Sequence, residues 1–172
     1  MSNAAMPIIV SDDHHPSLRH IEREALAIEL QHVLATLLDL GLQAKHAHWN
    51  VRGAQFSSLH RQLDELADAW RIAANEVAER SAALGGIPDG RPSAVASRST
   101  LVGLPDGTIA ERTLVDDFGR LLTDAIGEIR TRMDRVDELD IVTGDMLHGL
   151  VARLETDLWM VRSQRPSPEA RR

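Results

Sequence analysis

Apolar residues recur along this chain in steps of three and four, the period of a helix that buries one face. The first stripe runs through Leu26, Leu30, Val33, Leu37, Leu40, Ala44, Ala47 and Val51, with Ser17 placed to cap its start. Gly53 and Gln55 interrupt it. A second stripe begins after Ser57 or Ser58 and takes in Leu59, Leu63, Leu66, Trp70, Ala73, Val77 and Leu84. Gly85 and Gly86 end that helix, and Pro88 prevents its continuation. Residues 85–107 are rich in Gly, Pro and Ser and predict a long connection with room for one short helix. Thr108-Ile-Ala-Glu111 has the form of a capping box. It opens a third stripe of Leu114, Phe118, Leu121, Ala125, Ile129, Met133 and Val136. Asp140-Ile-Val-Thr143 breaks the third stripe, with Thr143 placed to cap a fourth of Leu147, Val151, Leu154, Leu158 and Val161.

Four amphipathic helices joined by a short, a long and a short link predict an all-α four-helix bundle, its one long crossover lying between helices two and three. The two longest helices span about 40 Å at the α-helical rise. The bundle is expected over residues 17–163. Residues 1–16 are polar, with Pro7 and Pro16, and read as a flexible arm. Residues 164–172 read as a flexible Arg-containing tail.

Composition narrows the chemistry. The 172 residues include no cysteine, which removes disulfides, thiolate metal sites and cysteine nucleophiles together. Aromatic residues make up only 3%, which argues against a β-sandwich or barrel. No run of about 18 apolar residues predicts a membrane span, and the N-terminal stretch lacks the basic start of a secretory signal. The expectation is a soluble cytoplasmic protein with no membrane partner. A net charge of −7 argues against a broad phosphate-binding surface.

The second helix presents His60, Asp64, Asn75 and Glu79. At about 100° per residue these four share one flank beside the core stripe, and His48 near the end of the first helix lies within reach of the His60/Asp64 end. Imidazole and carboxylate without thiolate suit iron, zinc or manganese. Asp64 and Asn75 are separated by about 16 Å along the helix, so one metal cannot bind both ends within one chain. Two chains packed antiparallel about a two-fold near Trp70 bring the two ends together, which points to an intersubunit site in a symmetric assembly. A His and an Asp four apart also form plain surface pairs, so spacing alone leaves both readings open.

These residues resemble the Dps family of ferritin-like miniferritins, the proteins of DNA protection during starvation. The resemblance spans roughly residues 18–163. It is carried by Lys45-His-Ala-His-Trp-Asn-Val-Arg-Gly53, Phe56-Ser-Ser-Leu-His-Arg-Gln-Leu-Asp64, Asn75-Glu-Val-Ala-Glu-Arg80, Leu84-Gly-Gly86 and Leu158-Trp-Met-Val161. It implies a hollow shell of twelve identical ferritin-like bundles that oxidises Fe(II), with hydrogen peroxide preferred over oxygen, and stores the ferric product inside. It implies ferroxidase sites at two-fold interfaces, built from His48, His60 and Asp64 of one subunit and from position 75 and Glu79 of the other, with zinc and other divalent ions able to take the same ligands. Trp49, beside His48, and Trp159 are implied as sinks for oxidising equivalents, although a tryptophan at a helix interface is an equal reading. Asp140 and Asp145 fall where the family lines the three-fold pores that admit iron.

The chain departs from the family at position 75, where a carboxylate is usual and Asn75 stands. An amide oxygen is neutral and a weaker ligand for a hard cation. A second expectation is therefore a Dps-like structural or DNA-binding shell with weakened ferroxidase activity. For DNA, residues 1–16 contain no Lys or Arg, while Arg162, Arg165, Arg171 and Arg172 gather near the C-terminus. Twelve copies of that tail would bind multivalently and with strong salt dependence, and DNA binding would place the protein at the nucleoid.

Overall fold

A computed structural model of the chain describes residues 17–165. The expected arm, and Arg171 and Arg172, lie outside the described residues. The elements in order are α1 (His20–Asn50), β1 (Val51–Arg52), α2 (Phe56–Ala83), α3 (Pro92–Arg98), β2 (Ile109–Ala110), α4 (Glu111–Leu139) and α5 (Ile141–Arg162). α1 and α2 form one antiparallel hairpin, α4 and α5 another, and α1 packs on α4 to close the bundle. α3 is the short helix within the crossover.

Each apolar stripe becomes a buried face. Leu26, Leu30, Leu37, Leu40, Leu114, Phe118, Leu122, Ile129, Leu147 and Leu154 are fully enclosed. Truncating one such leucine to alanine costs about 2–5 kcal/mol, because the cavity closes only in part. α1 is long and apolar enough to cross a membrane by length and composition, yet 61% of its most apolar stretch is buried in the bundle. Its apolarity is that of the central core helix. On its polar side it carries Glu29, which is buried and receives Arg132 at 2.9 Å and Arg135 at 3.0 Å from α4.

The helix starts differ from the expected caps. α1 begins after Arg19, not Ser17, and Glu22 turns back to accept from the Arg19 backbone N–H at 2.8 Å. α2 begins at Phe56 after Gln55, whose side chain makes no cap hydrogen bond. Glu111 does not close a box with Thr108; its carboxylate accepts from the Gln55 backbone N–H at 2.7 Å and so fastens the α1–α2 link to the start of α4. That close approach falls on Gly53, at φ +151°, where a Cβ would meet the Glu111 side chain. The cap of α5 is Asp140, not Thr143. Its carboxylate accepts from the Thr143 N–H at 3.0 Å and from the Thr143 hydroxyl at 2.5 Å. One residue thus ends α4 and starts α5.

Two further fastenings had no periodic signal. Val51 pairs with Ile109 and Arg52 with Ala110 in a two-residue parallel bridge, too short to show strand alternation. The crossover is also pinned along the outer side of α1. The Gln31 amide clasps the Asp89 backbone through two hydrogen bonds, at 2.9 and 2.8 Å. Asp39 accepts from the Ser99 hydroxyl, and Gln43 accepts from Leu104 N–H. α1 itself packs along α2, and that hairpin positions the candidate site.

Candidate metal centre

The five-residue link between α1 and α2 sets the C-terminal end of one helix beside the N-terminal end of the next. His48 and His60 meet there, their rings stacked at 3.6 Å between centroids and 20° between planes. Their backbone contacts are reciprocal. His48 Nδ1 lies 2.6 Å from the His60 carbonyl oxygen, and His60 Nδ1 lies 2.9 Å from the His48 carbonyl oxygen. A carbonyl can only accept, so each Nδ1 carries the proton and donates. In the neutral ring these bonds fix the tautomer, with the proton on Nδ1 and the lone pair on Nε2. This is the arrangement in which imidazole ligates a metal, with one nitrogen held by the backbone and the other free. The His48 carbonyl is among the last four of α1, which lack intrahelical partners, so the His60 contact also satisfies an orphan acceptor.

Asp64 lies one turn beyond His60. It forms an ion pair with Lys45, one turn before His48 on α1, and both side chains are partly exposed. The Lys45 hydrogen bond holds the Asp64 carboxyl below its ordinary pKa. Partial burial opposes the shift, and the charges of Lys45, His48 and His60 add to it. Sequence reasoning did not foresee this pair. Its signal was available: Lys45 is the only lysine in the chain and sits three residues before His48.

The other end of the expected site is open. Asn75 and Glu79 are exposed on the same flank of α2. Among the described residues, neither side chain takes part in a hydrogen bond or ion pair. Asn75 borders a cavity of about 430 Å³ between α1, α2 and the crossover, with Arg71 and Ile72. Among the described residues, no three His, Asp or Glu side chains are grouped to hold one metal ion. The chain brings His48 and His60 together, leaves Asp64 one turn further along α2 on Lys45, and keeps Asn75 and Glu79 about three turns beyond Asp64.

The remaining candidates divide in the same manner. Trp49 and Trp159 are 64% and 67% exposed, so neither packs inside its own chain. Asp145 is exposed on α5. Asp140 is mostly enclosed and engaged: besides capping α5 it receives Arg80 at 2.5 Å. Burial raises its pKa, but the bonds from Thr143 and Arg80 outweigh that and leave it below the ordinary value. Arg162 donates to the Thr123 hydroxyl at 2.9 Å, and Arg165 pairs with Asp116 at 2.8 Å.

The bundle and this half-site agree with what the chain is similar to. A family model for the ferritin-like domain matches residues 28–165. A DNA protection during starvation protein of Mycolicibacterium smegmatis is 34% identical over 152 residues, which cover 86% of this chain and 81% of the relative. DNA protection during starvation protein 1 of Deinococcus radiodurans is 36% identical over 152 residues, covering 87% and 73%. The solved structure of DpsA14 from Streptomyces coelicolor superposes with a TM-score of 0.88 at 29% identity, covering 94% of this chain and 96% of that one. Fold, motif spacing and relatives together place the chain in the Dps family of ferritin-like proteins.

Proposed function

We propose that this protein is a ferroxidase and iron store that protects against oxidative stress, oxidising Fe(II) at sites shared by two subunits of a dodecameric shell. One observation carries the reading. His48 and His60 have their Nδ1 atoms committed to each other's backbone carbonyls, and among the described residues both Nε2 atoms are without a hydrogen-bond partner, near the Asp64 carboxylate. A second subunit packed antiparallel along α2 supplies its Asn75 and Glu79 to complete the ligand set. Iron is the substrate. Two Fe(II) ions each give one electron to hydrogen peroxide, whose O–O bond breaks to leave hydroxide, and the ferric product collects in the interior. Asp145, with Asp140 at the rim, attracts Fe(II) to the three-fold pores, and Trp49 and Trp159 intercept stray oxidising equivalents. The C-terminal arginines, Arg162 and Arg165 with Arg171 and Arg172 beyond them, contact DNA, which would place a cytoplasmic protein on the nucleoid.

The test is stopped-flow Fe(II) oxidation with peroxide, together with anomalous scattering from iron-soaked crystals. A fast phase that saturates with site occupancy, and iron bound by His48, His60 and Asp64 at a two-fold, are expected. Oxidation with no saturable fast phase refutes the reading. A second reading, a structural or DNA-binding shell with a weakened ferroxidase, is favoured by two features: the neutral Asn75, and Lys45 occupying Asp64. The same kinetics separate the two.

A further inference from the structure

The groove between α2 and α5 belongs to none of the roles above. Ala69 and Ala73 of α2 and Leu150 and Leu154 of α5 line a cavity of about 390 Å³ between the two helices. Small-molecule pockets run from about 300 to 1,000 Å³, so the space is of that order. Ile72, 54% exposed, extends the apolar wall.

Asp157 is set into this wall. Its Oδ2 accepts from the Trp70 indole Nε1–H at 2.9 Å. Trp70 is only 2% exposed and stacks on Phe118, so the donor that holds the carboxylate is itself fixed. Arg153 lines the same cavity, but its guanidinium pairs with Glu76 at 3.0 Å. Among the described residues, no cation forms an ion pair with Asp157. Burial holds the Asp157 carboxyl above its ordinary pKa, against the pull of the Trp70 bond and the Arg153 charge.

A half-buried carboxylate without a countercharge carries a cost that a bound cation removes. The walls decide which cation. A hard dication needs a full shell of oxygen ligands, and one carboxylate among aliphatic side chains does not supply it. An anion is repelled, and a neutral apolar molecule leaves the carboxylate uncompensated. An ammonium on an apolar body suits both surfaces. Its N–H groups make charge-assisted hydrogen bonds to the carboxylate, and its hydrocarbon leaves water against Ile72, Leu150 and Leu154.

We propose that the α2–α5 groove binds small organic ammonium ions with an apolar body, Asp157 pairing with the ammonium and the aliphatic walls holding the hydrocarbon. The site shares no residue with His48, His60, Asp64, Asn75 or Glu79, so it stands or falls apart from the ferroxidase reading.

Isothermal calorimetry on the full-length protein, with cyclohexylmethylamine near neutral pH and cyclohexylmethanol as its uncharged match, tests the assignment. The amine should bind saturably at one site per chain. It should bind at least about tenfold more tightly than the alcohol, the difference expected of hydrogen bonds to a charged group. Asp157→Asn keeps an acceptor for the Trp70 indole and removes the charge. It should weaken the amine at least about tenfold and leave the alcohol unchanged, with circular dichroism as in the wild type. Thr156→Phe, at the exposed rim of the cavity, leaves Asp157 intact and should weaken both probes. The chain carries a net charge of −7, which attracts any amine loosely, and attraction of that kind is indifferent to Asp157→Asn. Amine binding that ignores Asp157→Asn, or equal affinity for the two probes, overturns the proposal. So does the absence of saturable binding, the result expected if a second copy of the chain fills the groove.

Discussion

The two ends of α2 carry the same kinds of ligand and are built in opposite ways. At the N-terminal end, His60 and Asp64 are held: His60 by the backbone of α1 and the ring of His48, Asp64 by Lys45. At the C-terminal end, Asn75 and Glu79 face outward with no partner among the described residues. A finished half and an open half on one rigid rod describe a site that neither half completes alone. The pairs His60/Glu79 and Asp64/Asn75 are equidistant from a point between Ala69 and Trp70. Asp68 and Arg71 are equidistant from it too. A two-fold through that point therefore aligns the ligands and sets each Asp68 against the partner's Arg71.

Breaking that register should have the largest effect. Arg71→Glu confronts two acidic side chains twice at each two-fold, and like charges across an interface cost several kcal/mol. Native mass spectrometry should show loss of the dodecamer, and stopped-flow loss of the fast iron phase, with circular dichroism unchanged. Adding Asp68→Arg should restore both. Assembly that ignores the charge swap removes the proposed axis. His60→Ala comes next. It removes a ligand from the preorganised half but nothing from the interface, so the shell should persist while site affinity falls by at least about 100-fold, since even partners one shell removed account for 10- to 100-fold. Titration by isothermal calorimetry with Fe(II) under nitrogen measures it. Asn75→Asp acts on the open half and restores one charge per site. Tighter binding on the order of tenfold is expected, as ligand charge tunes affinity for hard cations.

The contrast between the two halves also marks how far the sequence could be read. All apolar stripe positions from Leu26 to Val161 are buried except Leu158, which is partly so, because a period of three and four encodes burial directly. The flank shared by His60, Asp64, Asn75 and Glu79 follows from the same geometry. What escaped was set by contacts between elements distant in the chain. Gln55 precedes α2 without making a side-chain cap, because Glu111, 56 residues on, satisfies its backbone N–H. The hydrogen bond from Trp70 to Asp157 joins residues 87 apart. The tautomers of His48 and His60 depend on the five-residue link that sets two helix ends side by side. Periodicity reports which face is buried, and only the fold reports what a buried or half-buried polar atom touches.

The smallest effect is the one with a size that depends on pH. Lys45 and Asp64 form a partly exposed pair, and such pairs contribute little net stability. The ammonium nevertheless competes with a metal for the same carboxylate oxygens. Lys45→Gln removes the competitor, so near neutral pH apparent Fe(II) affinity should rise, by no more than about fivefold for a pair of this exposure. In acid the gain shrinks. Lys45 holds the Asp64 carboxyl below its ordinary pKa, so the wild-type carboxylate stays ionised as pH falls through the ordinary carboxylate range. In the variant that carboxyl takes up a proton earlier, and a protonated carboxyl is a poor metal ligand. Zn(II) titrations of both proteins from neutral pH down to the acid limit of folding should therefore give affinity curves that converge, with the variant tighter near neutral pH and its advantage fading as its Asp64 takes up a proton. Superposed curves would mean that Lys45 neither competes for Asp64 nor keeps it ionised. The finished half of the site would then owe its readiness to the two histidines alone.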